Sequence, residues 1–467
     1  MLDLGSRSPT DDTTRSQTIS LVTTTGEHER YICLSHRWGS DMAPTTMKNI
    51  TDRHQGLQLS TLPLKFQDAV YFTRRLGIRY LWIDSICIVQ DDKEDWARES
   101  LNMYSIFEGS YLTIAAAVPE RISKRLFAVA PPEKIGYRIE ATTTSHPWEV
   151  FIRKPLVHTD PDLQKRGWVY QEFLASPRYL EFGSEELAWF CDELSTCECE
   201  SDHLGFHRNK KVPLIYEHSP DHQMLRQKWH DVVSAYTERE FTYHSDRHAA
   251  LAAIVKKFEE KLQDEYIAGA WRSQLIKDLC WSTRYPAEIA PDSTSPSWSW
   301  EALMASIEYR NQAPVTCSLK ELITPIRDPL LLVITDPGIL ILNGLVLVTK
   351  LVNRRFKRTK GEFNELVEYG NDSLEIINPL IPTHMMNRVV TKLDFIDFGD
   401  NWDTSNPDSW EFRDPVYCFQ MTTTSALILR CIDPDRLVYR RIGIFLKPPR
   451  LGMNNGNFGS RRDVVII

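Results

Sequence analysis

The first 200 residues of this sequence predict an α/β fold, an open parallel sheet with helices on its faces. Three short apolar runs, 31–35, 79–83 and 111–117, have the length and composition of strands. Between them, apolar residues recur at helical spacing over 63–77 and 93–108. Strands that alternate with helices are typical of βαβ units, whose right-handed crossovers make the strands parallel.

Both helices have recognisable ends. Pro63 stands near the start of the first helix, and Gly77 ends it. The second begins in an acidic cluster, which we interpret as Asp92 at the N-cap with further acids in the first turn, where they oppose the helix dipole. The alternative for this cluster is a metal site. Its members are Asp91, Asp92, Glu94 and Asp95.

The rest of the chain divides by composition. Residues 1–18 are polar and rich in Ser, Thr and Asp, which predicts a flexible lead-in. We expect the α/β domain over 19–205, with a hairpin around Gly183 near its end. Apolar residues at helical spacing predict a helical segment over 206–295, and residues 296–467 predict a β-rich C-terminal domain.

Composition excludes several classes of protein. The chain has 55 Lys and Arg against 63 Asp and Glu, a net charge of −8, so it lacks the basic surface expected of a nucleic-acid-binding protein. Hydrophobic residues make up 42%, enough for a folded core. None of the glycine-containing motifs of Rossmann folds, P-loops or serine hydrolases occurs, so these classes have no sequence support.

We expect neither a membrane span nor an export signal. The longest apolar stretch, 330–352, is interrupted by Asp336, Pro337 and Lys350, which predicts consecutive strands. The N-terminus has no apolar segment of the kind found in signal peptides. The nine cysteines mostly have apolar neighbours and are odd in number. They indicate reduced thiols and a cytoplasmic location.

A candidate site lies where the predicted parallel strands end, because ligands of open α/β sheets bind outside the carboxyl ends of the strands. The first strand ends at Ser35, followed by His36, Arg37 and Trp38, and the second is followed by Asp84. These residues offer a cation for phosphate, an indole for stacking and an acceptor for hydroxyl groups. The alternative is structural: Asp84 caps a loop and Trp38 covers the sheet edge.

Glu172 is the second candidate. In a short helix over 166–174, Trp168 and Glu172 are four residues apart and share a face. An apolar neighbour would raise the pKa of the carboxyl, whereas Arg166 would lower it. The alternative is an exposed glutamate paired with Arg166 or Arg178.

Two other groups of residues carry weaker chemical hypotheses. A zinc site could be formed by a group of cysteine and histidine residues between 191 and 207, although this group lacks the usual Cys-x-x-Cys spacing. Its members would be Cys191, Cys197, Cys199, His203 and His207. The pairs His230–Asp231 and Asp246–His248 have no nucleophile that the sequence can place beside them, so a hydrolase triad is weaker still. We assign no metal ligand.

Several strings resemble the fungal heterokaryon incompatibility domain over about 29–205. They are YICLSHRWG, LPLKFQDAVYFTRRLGIRYLWIDSICIVQDDKEDWARES, YLTIAAA and RGWVYQE, in the order expected for that family. The segments WHDVVSAY, PSWSW and RRIGIF resemble regions that follow this domain in large fungal members. The chain departs from the family pattern at His36 and Arg37, where a Tyr and another residue are more usual.

The resemblance implies a role in growth arrest or cell death after unlike fungal cells fuse. Domains of this family are also distantly similar to Toll/interleukin-1 receptor (TIR) domains, some of which cleave NAD at the nicotinamide–ribose bond. By that analogy the sheet is TIR-like, and Trp168 and Glu172 match the W-x-x-x-E of the catalytic-glutamate helix.

The analogy assigns Glu172 as the catalytic residue and NAD as a substrate, with no separate cofactor. Arg37 would bind a phosphate, and Trp38 or Trp168 would stack on a ring. Ser35, His36 and Asp84 complete the expected substrate-binding set. The alternative is a signalling module without enzymatic activity that acts by self-association and partner binding.

Overall fold

A computed structural model describes most of the 467-residue chain. The described residues are 1–5, 17–39, 42, 44–127, 137–141, 148–152, 161–198, 221–242, 246–283, 293–309, 313–327, 334–336, 338–354, 373–377, 390–393, 402–403, 409–412, 415–423, 425–446 and 461–467. The chain forms two compact units. The first contains residues 1–224 and 239–256, and the second contains 225–238 and 257–467. The helical stretch in the middle of the chain therefore contributes to both units.

The first unit is built on a nine-stranded sheet. The strands of this unit are β1 (Leu2–Asp3), β2 (Thr18–Leu21), β3 (Tyr31–Ser35), β4 (Leu57–Gln58), β5 (Tyr80–Trp82), β6 (Leu112–Ala116), β7 (Tyr137–Ala141), β8 (Trp148–Ile152), β9 (Arg178–Phe182), β10 (Leu187–Cys191) and β11 (Ser195–Cys197). The sheet order is β11-β10-β9-β6-β3-β5-β1-β2-β4, while β7 and β8 pair separately. The four central strands β9, β6, β3 and β5 are parallel, and the outer pairs are antiparallel.

Helices connect the parallel strands. They are α1 (Ile50–Gln55), α2 (Leu64–Arg75), α3 (Asp84–Cys87), α4 (Lys93–Glu108) and α5 (Gly167–Ala175), with a 3-10 turn at Leu59–Thr61. The acidic cluster is a helix cap, because Asp92 Oδ1 accepts hydrogen bonds from the backbone N–H groups of Glu94 and Asp95 at 2.9 and 3.2 Å.

The two faces of the sheet bury different side chains. Ile32 and Leu34 of β3 lie in one apolar core together with Phe66 of α2. Cys33, which alternates with them, faces the other side, where its thiol donates to the carbonyl oxygen of Ile106 on α4 at 3.8 Å. Parallel strands buried on both faces are typical of α/β folds, and they explain the unbroken apolar runs in the sequence.

The second unit is β-rich. Its sequence range includes most of α6 (His222–Thr237) and the end of α7 (Asp246–Leu262), then α8 (Leu275–Asp278) and 3-10 turns at Arg272–Gln274 and Trp300–Ala302. Its strands are β12 (Tyr266–Ile267), β13 (Ala270–Trp271), β14 (Trp281–Thr283), β15 (Ile307–Tyr309), β16 (Ser318–Ile323), β17 (Ile326–Arg327), β18 (Ile334–Asp336), β19 (Ile339–Arg354), β20 (Ser373–Ile377), β21 (Val390–Leu393), β22 (Trp402–Asp403), β23 (Ser409–Phe412), β24 (Val416–Gln420), β25 (Ser425–Asp433), β26 (Val438–Leu446) and β27 (Arg461–Ile466). Ten of them form one sheet around the long strand β19.

The predicted fold class is confirmed: a mixed α/β unit with helices on a largely parallel central sheet precedes helices and a β-rich region. The expectation of a flexible lead-in over 1–18 is wrong for the first residues, since β1 pairs with β2 and β5 and Leu2 is fully buried. Residues 6–16 lie outside the described residues. Among the described helices, none is long and apolar enough to cross a membrane.

The central strand β6 offers a test of this packing. Ile114 is fully buried and pairs with Leu34 and Leu180 of the neighbouring strands. We expect Ile114→Ala to lower the free energy of unfolding of the first unit by about 2–5 kcal/mol, because it leaves a cavity. Hydrogen exchange of β3 and β6 peptides in mild denaturant would measure the change, since two units need not unfold in one step.

The matched control is Ile122→Ala, because the Ile122 side chain is exposed. It should change the free energy of unfolding by less than about 0.5 kcal/mol. Equal losses in the two variants would contradict the assigned core.

Candidate functional site

The parallel register aligns the polar ends of the central strands. Cys33 of β3 pairs with Trp82 of β5, so two residues later the chain reaches Ser35 at the end of β3 and Asp84 at the start of α3. On the other side, Ser35 pairs with Ala115 of β6, which pairs with Glu181 of β9. The two strand ends predicted from the sequence therefore lie side by side, and a third polar residue, Glu181, stands in the same row.

Asp84 organises the edge of the sheet. Its Oδ2 accepts a hydrogen bond from Trp38 Nε1 at 2.8 Å, and its Oδ1 accepts one from the Ser85 N–H at 2.7 Å. The ring of Trp38 remains 40% exposed. Asp84, the first residue of α3, therefore accepts from the backbone N–H that follows it and also fixes the position of a partly exposed indole.

His36 is buried beside this carboxylate. Its Nδ1 lies 3.5 Å from Asp84 Oδ1, and its ring packs edge-on against Phe66 with a centroid distance of 5.0 Å. Burial lowers the pKa of His36 more than Asp84 raises it, so the imidazole is neutral at pH 7. Within the described residues neither ring nitrogen has a hydrogen-bond partner of good geometry.

Arg37, unlike His36, is at the surface. Its side chain is exposed, and its guanidinium has no ion pair or hydrogen bond among the described residues. Its carbonyl oxygen accepts a hydrogen bond from Lys65 Nζ at 3.2 Å. Arg37 is thus a cation available to an anionic group outside the sheet edge.

Glu172 is buried on α5, so the exposed-glutamate alternative is wrong. The helix packs through Val169 and Phe173 into a core with Tyr179, and Ser176 just after it donates to Thr113 Oγ1 of β6 at 2.6 Å. The two arginines proposed as partners are engaged elsewhere. Arg166 donates to the His36 carbonyl oxygen at 3.2 Å and Arg178 to that of Tyr111 at 3.0 Å.

Burial raises the pKa of Glu172 to about 8. The Ser35 hydroxyl opposes this rise, the negative Asp84 adds to it, and the positive Arg166 opposes it. Ser35 faces the carboxyl group, yet within the described residues neither Ser35 Oγ nor Glu172 Oε2 makes a hydrogen bond of good geometry. Buried polar atoms in folded proteins are nearly always paired, so these two atoms are candidate contacts for a ligand or for solvent.

Trp168 has other partners. Its Nε1 donates to Asp246 Oδ2 at 3.2 Å, and its ring contacts that of Trp96 edge-on with a centroid distance of 6.4 Å. It shares the helix with Glu172, as predicted. Its role in stacking on a substrate ring stays a prediction.

The sequence analysis missed three buried polar residues. Gln164 Nε2 donates to Glu181 Oε2 at 3.1 Å and to the Tyr179 hydroxyl at 3.3 Å. Burial, together with the nearby charge of Glu181, raises the pKa of Tyr179 well above its ordinary value. The missed signal is topological. The predicted hairpin around Gly183 is present, but its first strand, β9, is also the fourth parallel strand, so its end lies at the site.

The zinc hypothesis gains no support from the described residues, among which no group of three or more His, Cys, Asp or Glu side chains could hold a metal ion. Cys191 and Cys197 lie on β10 and β11. The other proposed ligands, Cys199, His203 and His207, lie outside the described residues.

Residues 31–172 match the model of a family described as heterokaryon incompatibility protein (HET). This segment is therefore similar to a heterokaryon incompatibility domain. It begins at the first residue of β3 and ends at Glu172, less than a third of the chain. No significant match to a curated protein or to a solved structure was found. The similarity of the domain to TIR domains stays a prediction.

The buried carboxyl predicts a pH-dependent stability. The pKa of Glu172 is about 8 in the folded chain and has an ordinary value of 4.5, so the folded state holds the proton more tightly. The stabilisation that comes from this proton is complete below pH 4.5 and is lost as the pH rises to 8. Between these two values, a rise of one pH unit should lower the free energy of unfolding by about 1.4 kcal/mol.

Glu172→Gln, which does not titrate, should remove this dependence. We expect its stability relative to the wild type to rise from pH 5 to pH 8 and then level off, as measured by denaturant unfolding of the first unit. Glu120→Gln, at an exposed position of the same unit, should follow the wild type at every pH. A difference that is constant between pH 5 and pH 8 would contradict the buried position of Glu172.

Proposed function

We propose that this chain is a cell-death effector of fungal non-self recognition whose heterokaryon incompatibility domain hydrolyses NAD at the nicotinamide–ribose bond. The family match supports the broader role. One observation carries the chemistry: the Glu172 carboxyl is buried, has an unpaired oxygen, and faces Ser35 at the carboxyl edge of the parallel sheet. That edge is where α/β sheets bind their ligands.

The proposed reaction needs little machinery from the protein. The bond between ribose C1′ and the nicotinamide nitrogen breaks, and its electron pair leaves with nicotinamide, which departs as a neutral molecule. The ribose becomes an oxocarbenium-like cation, and water then adds to C1′ and releases a proton, which gives ADP-ribose. A carboxylate beside C1′ stabilises the cation, and a buried carboxylate does so more strongly because water does not screen it.

The raised pKa of Glu172 fits a cationic substrate. Without ligand the side chain is mostly a neutral acid at pH 7, because its pKa is about 8. The positive nicotinamide ring of NAD would favour the ionised carboxylate and lower that pKa. Binding of the substrate would thus generate the charge that the transition state requires.

The other residues supply binding. The exposed guanidinium of Arg37 suits the pyrophosphate, and the partly exposed ring of Trp38 suits an adenine or nicotinamide ring. Ser35, His36 and Asp84 lie where ribose hydroxyl groups would find donors and acceptors. These roles account for the polar atoms that are unpaired in the described site.

Replacing the carboxyl group tests the proposal. We expect Glu172→Gln to lower the kcat of nicotinamide release by about 10²–10³-fold, because a neutral amide cannot stabilise the cation. Nicotinamide and ADP-ribose would be measured by chromatography with purified wild type and variant. Glu120→Gln is the control and should retain full activity.

The same assay separates the two candidate functions. It would be run at high and low protein concentration, since a steep concentration dependence would add self-association to the mechanism. Unchanged turnover in Glu172→Gln would overturn the catalytic assignment. A wild-type chain that releases no nicotinamide at any concentration would favour the signalling module without enzymatic activity.

Arg37 allows an independent test of substrate binding. Arg37→Ala should raise the KM for NAD about tenfold and leave kcat within about twofold, because the guanidinium contacts a group that does not react. Arg75→Ala, at an exposed position near the end of α2, is the matched control. An unchanged KM in Arg37→Ala would contradict its assigned role.

A further inference from the structure

The helix that carries Glu172 is held by a segment outside the matched domain. We call Arg239, Glu240 and Phe241 the strap; it lies in the first unit, far along the chain from α5. The Gly167 N–H donates to the Glu240 carbonyl oxygen at 3.0 Å, and the Glu240 N–H donates to that of Lys165 at 2.6 Å. The strap thus pairs with the backbone at the start of α5.

This pairing completes a helix that cannot cap itself. α5 has nine residues, and Arg166 at its N-cap makes no side-chain hydrogen bond to the first turn. The first N–H groups of a helix have no partner within it, and short isolated helices are unstable. The Glu240 carbonyl oxygen satisfies one of these groups, at the residue where the helix begins.

Side chains fasten the strap on both sides. Arg239 donates to the Gln164 carbonyl oxygen at 2.6 Å and lies 5.3 Å from the centre of the Tyr170 ring. A Cβ atom at Gly167 would collide with the ring of Phe241, so this glycine permits the close approach of the strap. Glycine is otherwise unfavourable in a helix, and this contact explains its presence.

A second contact comes from α7. Asp246, its first residue, accepts the hydrogen bond from Trp168 Nε1 at 3.2 Å. Trp168 is the second residue of α5, one turn before Glu172. The strap and Asp246 therefore both hold the first turn of the helix, whereas Glu172 lies in the second.

We propose that the strap and Asp246 form a clamp that positions α5, so that the Glu172 carboxyl faces Ser35 only while the clamp is closed. Arg239, Phe241 and Asp246 are positioning residues. The kinetic consequence rests on the proposed function. The clamp also suggests a route for regulation, because the chain enters the 239–256 stretch from residues of the second unit and returns to that unit after it.

The test uses the full chain with Phe241→Ala and Asp246→Ala. Asp246→Asn is the conservative variant, since its amide oxygen can still accept from Trp168. Glu238→Ala, at an exposed position next to the strap, is the matched control. The first measurement is hydrogen exchange over 167–175 without NAD. We expect exchange about tenfold faster in the two disruptive variants, wild-type rates in the other two, and no change in β3 and β6.

The second measurement is the pH profile of nicotinamide release. If α5 shifts, Glu172 becomes hydrated and its pKa falls from about 8 toward the ordinary value, so the rising limb of kcat/KM moves to lower pH. Loss of folded protein alone would lower the amplitude without moving the limb. A rising limb that moves to lower pH in Asp246→Ala and lies at the wild-type pH in Asp246→Asn would support the role of Asp246 in positioning α5.

The clamp and the proposed function fail in different ways. Unchanged exchange over 167–175, or equally faster exchange throughout the first unit, would overturn the clamp whether or not NAD is hydrolysed. A wild type that does not consume NAD would overturn the proposed activity, and faster exchange confined to 167–175 would still support the clamp.

Discussion

The parallel register of β5, β3, β6 and β9 is the constraint on which the candidate site depends. Pleated strands in register place every second side chain on the same face, so their last residues form a row at one edge. The backbone N–H and C=O groups beyond the last hydrogen bonds between strands have no partner within the sheet. Loops and the first residues of helices must therefore cover that edge. Ser35 and Glu181 lie in one row because both align with Ala115 of β6, and Asp84 follows β5 at the same edge of the sheet.

Covering this edge with α5 has an energetic cost. A carboxyl group taken out of water prefers its neutral form, and an unpaired polar atom loses the hydrogen bonds that water would supply. The apolar contacts of Val169 and Phe173 offset part of that cost. The backbone pairing of the strap with the start of α5 also stabilises this helix. Buried groups with such a cost are often found at functional sites.

Much of the first unit could be predicted from local patterns. The strands 31–35 and 111–117, the two long helices and the Asp92 cap follow from apolar periodicity and from end signals a few residues away. The row formed by Ser35 and Asp84 follows from the general rule for strand ends. Glu181 escaped because its strand is paired on both sides, antiparallel with β10 and parallel with β6, and only the hairpin leaves a local signal.

The sequence by itself determined the elements, the fold class and the residue types at the edge of the sheet, since propensity and periodicity act over a few residues. Only the tertiary structure decided that Glu172 is buried and not exposed, because burial depends on what packs over α5. It also decided the partners of Trp168 and Gly167, which are Asp246 and the strap. Those contacts join residues more than 70 positions apart, and no local pattern in the chain encodes them.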